Sequence, residues 1–280
     1  MNRFKQVLKT KFPILLKIKH FFRSMILRNE LDFIELHIVD NCNLKCKGCT
    51  SFSNISKQPN FIDTRMLAIR LQHLRELFTI KNIRLLGGEP LLHPDITNVL
   101  KAVRQGLSHS HIELVTNGLL LNKMSKDFFE TCNKNNIKII VSQYPILKNK
   151  DELEKIFLSF KVNYEFFPII FTFSANLNPA GNSNKEESFK NCRYKRYKTL
   201  KEDDIYICPI CAYIDKYNEY FNKNIPVGKG INIYTNSKKQ IFNYLKNPEE
   251  TCKYCTSLTR YMNWEHSCNP KETDWNGKTG

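Results

Sequence analysis

The sequence predicts an α/β fold built on a parallel sheet that closes at least partly into a barrel. Two observations predict it. Strand-like apolar runs alternate with helix-period runs between residues 33 and 171. The short polar motifs fall at the C-terminal ends of the strand runs, where such folds place their active residues.

Phe33-Ile34-Glu35-Leu36-His37-Ile38-Val39 alternates and is rich in β-branched residues, so it reads as the first strand. The segment Cys42–Cys49 follows at once. Asp63 to Phe78 carries Met66, Ile69, Leu71, Leu74 and Leu77 after an Asp-Thr start, a helix with its N-terminal signal. A strand at 83–86, a helix at 95–107, a strand at 112–116 and a helix at 125–135 come next. A strand at 137–142, a helix at 150–159 and a strand near 163–171 complete the run. Phe171 to Phe189 holds Asn-Pro-Ala-Gly-Asn-Ser-Asn and reads as a loop between regions. Gly87-Gly88-Glu89, Thr116-Asn117-Gly118 and Ser142-Gln143 sit after the second, third and fourth strands. No repeat of 20–50 residues is visible.

The chain has 280 residues, enough to bury a core. Apolar residues make up 41%, and no run approaches the ~18 uninterrupted apolar residues of a membrane span. Ten cysteines without a secretory signal point to a reducing, cytoplasmic compartment and to metal sites rather than disulfides. The net charge of +16 invites nucleic acid, a membrane surface or an anionic substrate. Part of it is local: residues 1–30 hold Arg3, Lys5, Lys9, Lys11, Lys17, Lys19, Arg23 and Arg28 against Glu30. Their apolar residues recur at roughly helical spacing. This basic amphipathic segment could lie on an anionic bilayer as a peripheral contact, or pack on the barrel with a solvated basic face.

Three cysteines lie within Asn41-Cys42-Asn43-Leu44-Lys45-Cys46-Lys47-Gly48-Cys49-Thr50, spaced C-x3-C-x2-C. Three thiolates can hold three irons of a [4Fe–4S] cluster and leave the fourth open to a ligand, whereas an electron carrier has four protein ligands. Structural zinc sites want four ligands, usually as separated C-x2-C pairs, and the triplet fits that poorly. Ile83-Arg84-Leu85-Leu86 then runs into Gly87-Gly88-Glu89-Pro90. With both motifs in this order, each after a predicted strand, the sequence resembles the radical S-adenosylmethionine (SAM) superfamily.

The resemblance implies a partial (β/α)6 TIM-like barrel, six-stranded, over roughly residues 31–185. It implies that SAM chelates the open iron and is reductively cleaved to a 5′-deoxyadenosyl radical that abstracts hydrogen from substrate. A low-potential donor such as flavodoxin or ferredoxin would supply the electron. Gly87 and Gly88 would let backbone approach the methionyl group, and Glu89 would accept from its ammonium. Asn117 and Ser142 are the candidates for further SAM contacts. One departure is Gly48, where many family members carry an aromatic residue.

Six cysteines stand outside the triplet apart from Cys132, which sits beside Phe128 and Phe129 and reads as core. Cys208-Pro-Ile-Cys211 and Cys252-Lys-Tyr-Cys255 could by spacing form a four-cysteine zinc ribbon. Cys192, Cys208, Cys252 and Cys255, with Glu202-Asp203-Asp204 as a hairpin turn, instead resemble the twitch extension, a shortened SPASM extension holding a second [4Fe–4S] cluster. Cys211 is then spare, and Cys268 lies in a polar tail. The division expected is a basic segment 1–30, a radical SAM core 31–190, an auxiliary region 191–260 with a β-hairpin and helix, and a tail 261–280. Tyr261, Trp264, Glu265 and His266 either cover the barrel mouth or decorate a surface tail. His93 and Tyr144 lie near strand ends, with no general base assignable.

The expected function is a SAM-cleaving oxidoreductase. It would act on a small polar metabolite (a sugar, cyclitol or sugar nucleotide, phosphorylated to suit a basic surface) with help from an auxiliary cluster. The twitch-like order carries this expectation, since one twitch dehydrogenase oxidises a hydroxyl of an aminocyclitol. The alternatives are peptide maturation, RNA modification and a non-catalytic basic metalloprotein. No RNA-binding module is recognisable, which disfavours nucleic acid.

Overall fold

A computed structural model describes residues 30–57 and 59–278. The basic segment 1–30 lies, but for Glu30, outside the described residues. Strand β1 (Glu30–Val39) is buried almost throughout from Phe33 onward. That pattern belongs to a central parallel strand covered on both faces. Helix α1 (Thr64–Leu77) begins where the Asp63 carboxylate accepts from the Arg65 N–H, and it buries Leu67, Leu71 and Leu74 along one stripe. Strands β2 (Thr79–Gly87), β3 (His111–Thr116), β4 (Ile137–Val141) and β5 (Tyr164–Phe166) alternate with helices α2 (Ile96–Gly106), α3 (Lys126–Lys134) and α4 (Lys150–Ser159). Ser125 caps α3 through the Phe128 N–H, and α3 buries Phe128, Phe129 and Cys132, so Cys132 is a core residue.

The large sheet runs β5-β4-β3-β2-β1 and continues through β7 (Lys198–Lys201), β8 (Asp204–Tyr206) and β9 (Ile231–Asn232). Strands β1 to β5 are mutually parallel in sequence order. A sixth parallel strand is present, but not where the resemblance placed it. It is β7 (Lys198–Lys201), which lies beside β1 on the opposite edge. The segment expected as a loop, 171–189, contains β6 (Thr172–Leu177) and most of α5 (Lys185–Asn191). β6 leaves the large sheet and pairs antiparallel with β10 (Cys255–Asn263). Its strand character comes from that distant partner rather than from local pattern.

The chain beyond α5 is continuous with the sheet. β7 turns at Glu202-Asp203 into β8 (Asp204–Tyr206), with Glu202 at positive φ, and β9 (Ile231–Asn232) extends the edge. Between them α6 (Pro209–Phe221) starts at Cys208, whose sulfur accepts from the Cys211 N–H. Helix α7 (Lys238–Tyr244) carries a Ser237/Gln240 capping box. Arg70 of α1 pairs with Asp203 at 2.6 Å, and Lys216 of α6 pairs with Asp40 at 2.6 Å. One hydrophobic cluster runs from β1 to β4 and α1 to α4 through Ile205, Tyr217 and Trp275. Beyond Asn263 the chain turns back along the cysteine loop: Ser267 N–H donates to Lys45 O at 2.7 Å, and Lys47 N–H donates to Glu265 O at 2.9 Å. No helix among the described residues is long and apolar enough to cross a membrane.

Candidate active site

The loops after β1, β2, β3 and β4 enclose a cavity of about 140 Å³. Cys42, Cys46, Cys49, Gly87, Gly88, Glu89, Asn117 and Ser142 all line it. Every residue singled out for cluster or SAM contact in the first half of the chain therefore faces one space. Parallel strands explain why: their C-terminal ends open on the same side of the sheet.

The Gly-Gly pair has a second reason to exist. Gly87 has φ +134°, and a Cβ there would lie 2.2 Å from the Val39 carbonyl oxygen. A Cβ on Gly88 would lie 1.9 Å from the Asn41 oxygen. The Gly88 and Glu89 N–H groups donate to Val39 O at 2.7 Å and Asn41 O at 2.9 Å. The glycines thus let the β2 turn lie against the backbone of the cysteine loop. The sequence expectation invoked approach to a ligand; the atoms a side chain would strike belong to the protein itself.

Glu89 is buried and already engaged. Its Oε1 accepts from Thr116 Oγ1 at 2.6 Å and from Leu91 N–H at 3.1 Å; its Oε2 accepts from Asn117 N–H at 2.9 Å. Burial pushes its carboxyl up to about 7, against these three donors. A carboxylate offers roughly four acceptor positions, so about one remains for a ligand. Asn117 Oδ1 accepts from Leu119 N–H, while its Nδ2 donates to Asn43 Oδ1 at 2.7 Å and reaches Cys42 Sγ at 3.9 Å. Asn117 thereby pins the cysteine loop to the end of β3. Ser142 N–H donates to Thr116 O at 2.8 Å, which leaves the Ser142 side chain at the cavity wall.

The three cysteines are free thiols. Burial pushes Cys42 up to about 12, although the Leu44 N–H at 3.4 Å favours its thiolate. Cys46 is also pushed up to about 12, by burial and then by Cys49, while the Trp264 indole N–H opposes the shift. Metal ligation requires thiolate, so a cationic centre is what would hold these buried sulfurs ionised. The donor set fits a cluster: three soft thiol sulfurs, near enough to perturb one another, line one cavity. No group of three or more His, Cys, Asp or Glu among the described residues is arranged to hold a single metal ion.

The second cysteine set also converges. Cys192 is pushed up to about 11 by burial and by Cys208, with Cys252 contributing. Cys255 is driven well above its ordinary value by burial, then by Cys208, Cys192 and Cys252. Cys211 is held as a thiol by hydrogen bonding to Cys208 and Cys252, and its donation lowers Cys252. Cys211 therefore lies with the other four. Cys268 is exposed and apart.

Two residues at this site escaped firm assignment from sequence. Tyr144 lines the cavity and stacks on Trp264, ring centroids 5.2 Å apart. Burial, then Cys46 and its neighbours, keeps the Tyr144 phenol neutral. Trp264 Nε1 donates to Cys46 Sγ at 3.2 Å. The polar-aromatic cluster at 261–266 was the only signal for it. His93 lies elsewhere, against Phe61, its Nδ1 accepting from Asp95 N–H.

Residues 36–142 match the family model described as the Radical SAM superfamily. The GTP 3′,8-cyclase of Trichodesmium erythraeum is 31% identical over 109 residues, covering 36% of this chain and 32% of that protein. The GTP 3′,8-cyclase of Lactiplantibacillus plantarum is 31% identical over 103 residues, covering 35% and 30%. The match thus spans about a third of the length of these curated relatives. The structure of BtrN in complex with AdoMet and 2-DOIA shares the fold, with a TM-score of 0.50 and 17% identity over 80% of this chain and 92% of that one. Over residues 36–142 this chain is therefore similar to the radical SAM superfamily, and it shares the fold of the BtrN structure.

Proposed function

We propose that this chain is a radical SAM oxidoreductase that removes hydrogen from a small polar metabolite such as a sugar, cyclitol or sugar nucleotide. The observation that carries the reading is one cavity lined by Cys42, Cys46, Cys49, Gly88, Glu89, Asn117 and Ser142, with a second set of thiols elsewhere in the fold. In this reading Cys42, Cys46 and Cys49 hold a [4Fe–4S] cluster with one open iron. Cys192, Cys208, Cys252 and Cys255 hold a second cluster in a twitch-like extension over residues 191–260, with the radical SAM core at 31–190 and the tail at 261–280. When bound, the first cluster supplies an electron that cleaves SAM to a 5′-deoxyadenosyl radical.

The protein's own part is placement and exclusion of water. Glu89, tied to Thr116, Leu91 and Asn117, fixes the β2 turn against the cysteine loop and offers its remaining lone pair to an ammonium group. Asn117, bonded to Glu89 through its backbone N–H, and Ser142 line the same cavity. Tyr144 and Phe173 narrow the mouth, which suits a small molecule better than a folded partner. The ligand named with BtrN and the nucleotide named for the cyclases are both small and polar, which agrees with this class. A flavodoxin- or ferredoxin-like donor would deliver the electron, and the second cluster would accept the one left on the substrate radical.

The test is anaerobic turnover of the reconstituted enzyme, with 5′-deoxyadenosine quantified for each class of polyol, cyclitol and sugar nucleotide. Stimulation by one such class, with a product two hydrogens poorer, supports the reading. Stimulation by a peptide alone overturns it.

A further inference from the structure

We infer that Trp264 sets the reduction potential of the cluster held by Cys42, Cys46 and Cys49, acting through Cys46. This rests on the function proposed above. The chain returns from β10 so that its end lies beside the cysteine loop it left more than two hundred residues earlier. Trp264 is fixed by its backbone N–H, which donates to Phe171 O at 2.8 Å, and by the stack of its indole on Tyr144. That geometry aims the indole Nε1–H at Cys46 Sγ, 3.2 Å away.

The return is built into the loop and is not a loose flap. Cys46 and His266 form a β-bridge, flanked by Lys47 N–H to Glu265 O and Ser267 N–H to Lys45 O. Trp275 Nε1–H donates to Cys49 O at 2.9 Å, which secures the other end. Gly48 makes this possible. It has φ +63°, and a Cβ there would lie 2.5 Å from Met262 Cε and 2.6 Å from Asp274 O. The space beside the third cysteine is therefore filled by the C-terminal return, and a side chain at position 48 would expel it.

An indole N–H has one proton to give and accepts nothing. Directed at a ligating sulfur, it stabilises the more negative, reduced form of a cluster, because hydrogen bonds to sulfur are one of the factors that set the potential. Trp264 is thus a positioning residue for the electron that starts the reaction. It makes the cluster easier to reduce.

The experiment is an EPR-monitored redox titration of reconstituted holoenzyme, following the signal that SAM perturbs, in wild type, Trp264→Phe, Trp264→His and Trp275→Phe. Trp264→Phe keeps a ring and loses the donor, so its midpoint should move to lower potential by roughly tenfold in the reduction equilibrium, about 59 mV for one electron. Trp264→His, which retains a ring N–H, should recover part of the shift. Trp275→Phe should leave the potential in place, since its partner is a carbonyl. The signal that SAM does not perturb should stay where it is in all four. An unchanged midpoint in Trp264→Phe with full iron content overturns the inference and leaves the proposed function standing. Pulsed EPR of reduced wild type carrying ¹⁵N-indole tryptophan needs no variant to fold. A weak ¹⁵N coupling supports the contact, and its absence overturns it. A wild type that shows no SAM-perturbed signal overturns both readings.

Discussion

The two cysteine groups differ in what surrounds them. Cys42, Cys46 and Cys49 sit on a loop at the end of a strand and share a cavity of about 140 Å³ with a glycine turn and polar groups from two further strands. Cys192 and Cys255 border a space of about 50 Å³, Cys192 also edges one of about 450 Å³, and Cys208, Cys211 and Cys252 are buried. The first group has three thiols and room for a guest. The second has five thiols, three of them buried. The difference in thiol count is the one expected if one site must bind a ligand at iron and the other must hold its metal with protein atoms alone.

The sharpest way to break this comparison is to remove each group separately. The Cys42→Ala/Cys46→Ala/Cys49→Ala variant should lose all 5′-deoxyadenosine formation. Cys192→Ala with Cys208→Ala should retain cleavage of SAM but lose its coupling to product. Equal loss in both variants would erase the distinction between the sites.

Gly88→Ala should come next in size. Its Cβ would fall 1.9 Å from the Asn41 oxygen, so the cysteine loop must move off the β2 turn. Overpacking of this kind costs about 1–3 kcal/mol, read as a lower Tm together with weaker binding of SAM. A neutral Gly88→Ala would mean that the turn is looser than its contacts imply.

Glu89→Gln should destabilise by about 1–3 kcal/mol at pH 8, because an amide NH2 would then face donors that the carboxylate now satisfies. The pH dependence has a definite sign. Burial raises the Glu89 carboxyl in the fold to about 7, from its ordinary value of 4.5. The folded state therefore holds a proton that the unfolded state releases between those values. The Glu89 contribution to stability is complete below about 4.5, falls as pH rises toward about 7, and is constant above. Glu89→Gln should lack that decline, as urea titrations at pH 5 and pH 8 would show.

Cys211→Ser should have the smallest effect. The hydroxyl can still donate toward Cys208 and Cys252, so iron content should be unchanged. Loss of about four irons would instead make Cys211 a ligand and displace one of the four assigned.

Much of the barrel was legible in the sequence, because its signals are local. The apolar, β-branched run Phe33–Val39, the helical spacing of Leu71 and Leu74 and the Asp63 start all act within a few residues, although Met66 and Ile69 of the same expected stripe are exposed and Leu67 is buried instead. The cysteine and glycine motifs were legible as chemistry, but the clash partners of Gly87 and Gly88 were not, since they depend on the β1–β2 register. What stayed hidden was long-range pairing. Ile34–Leu36 meet Lys198–Leu200, Thr172–Leu177 meets β10, and Trp264 meets Cys46, each across a separation that no local pattern encodes. The twitch-like order of cysteines gave no hint that its first hairpin would join the main sheet.

The central claim is that two separate thiol groups hold two separate clusters, only one of them serving SAM. It is tested most directly by counting iron, sulfide and zinc after anaerobic reconstitution, wild type beside the Cys42/Cys46/Cys49 triple alanine variant. The account predicts about eight irons and eight sulfides per chain, falling to about four of each in the variant, with no zinc. About four irons falling to none, with one zinc retained in both proteins, would contradict it and make the second group structural.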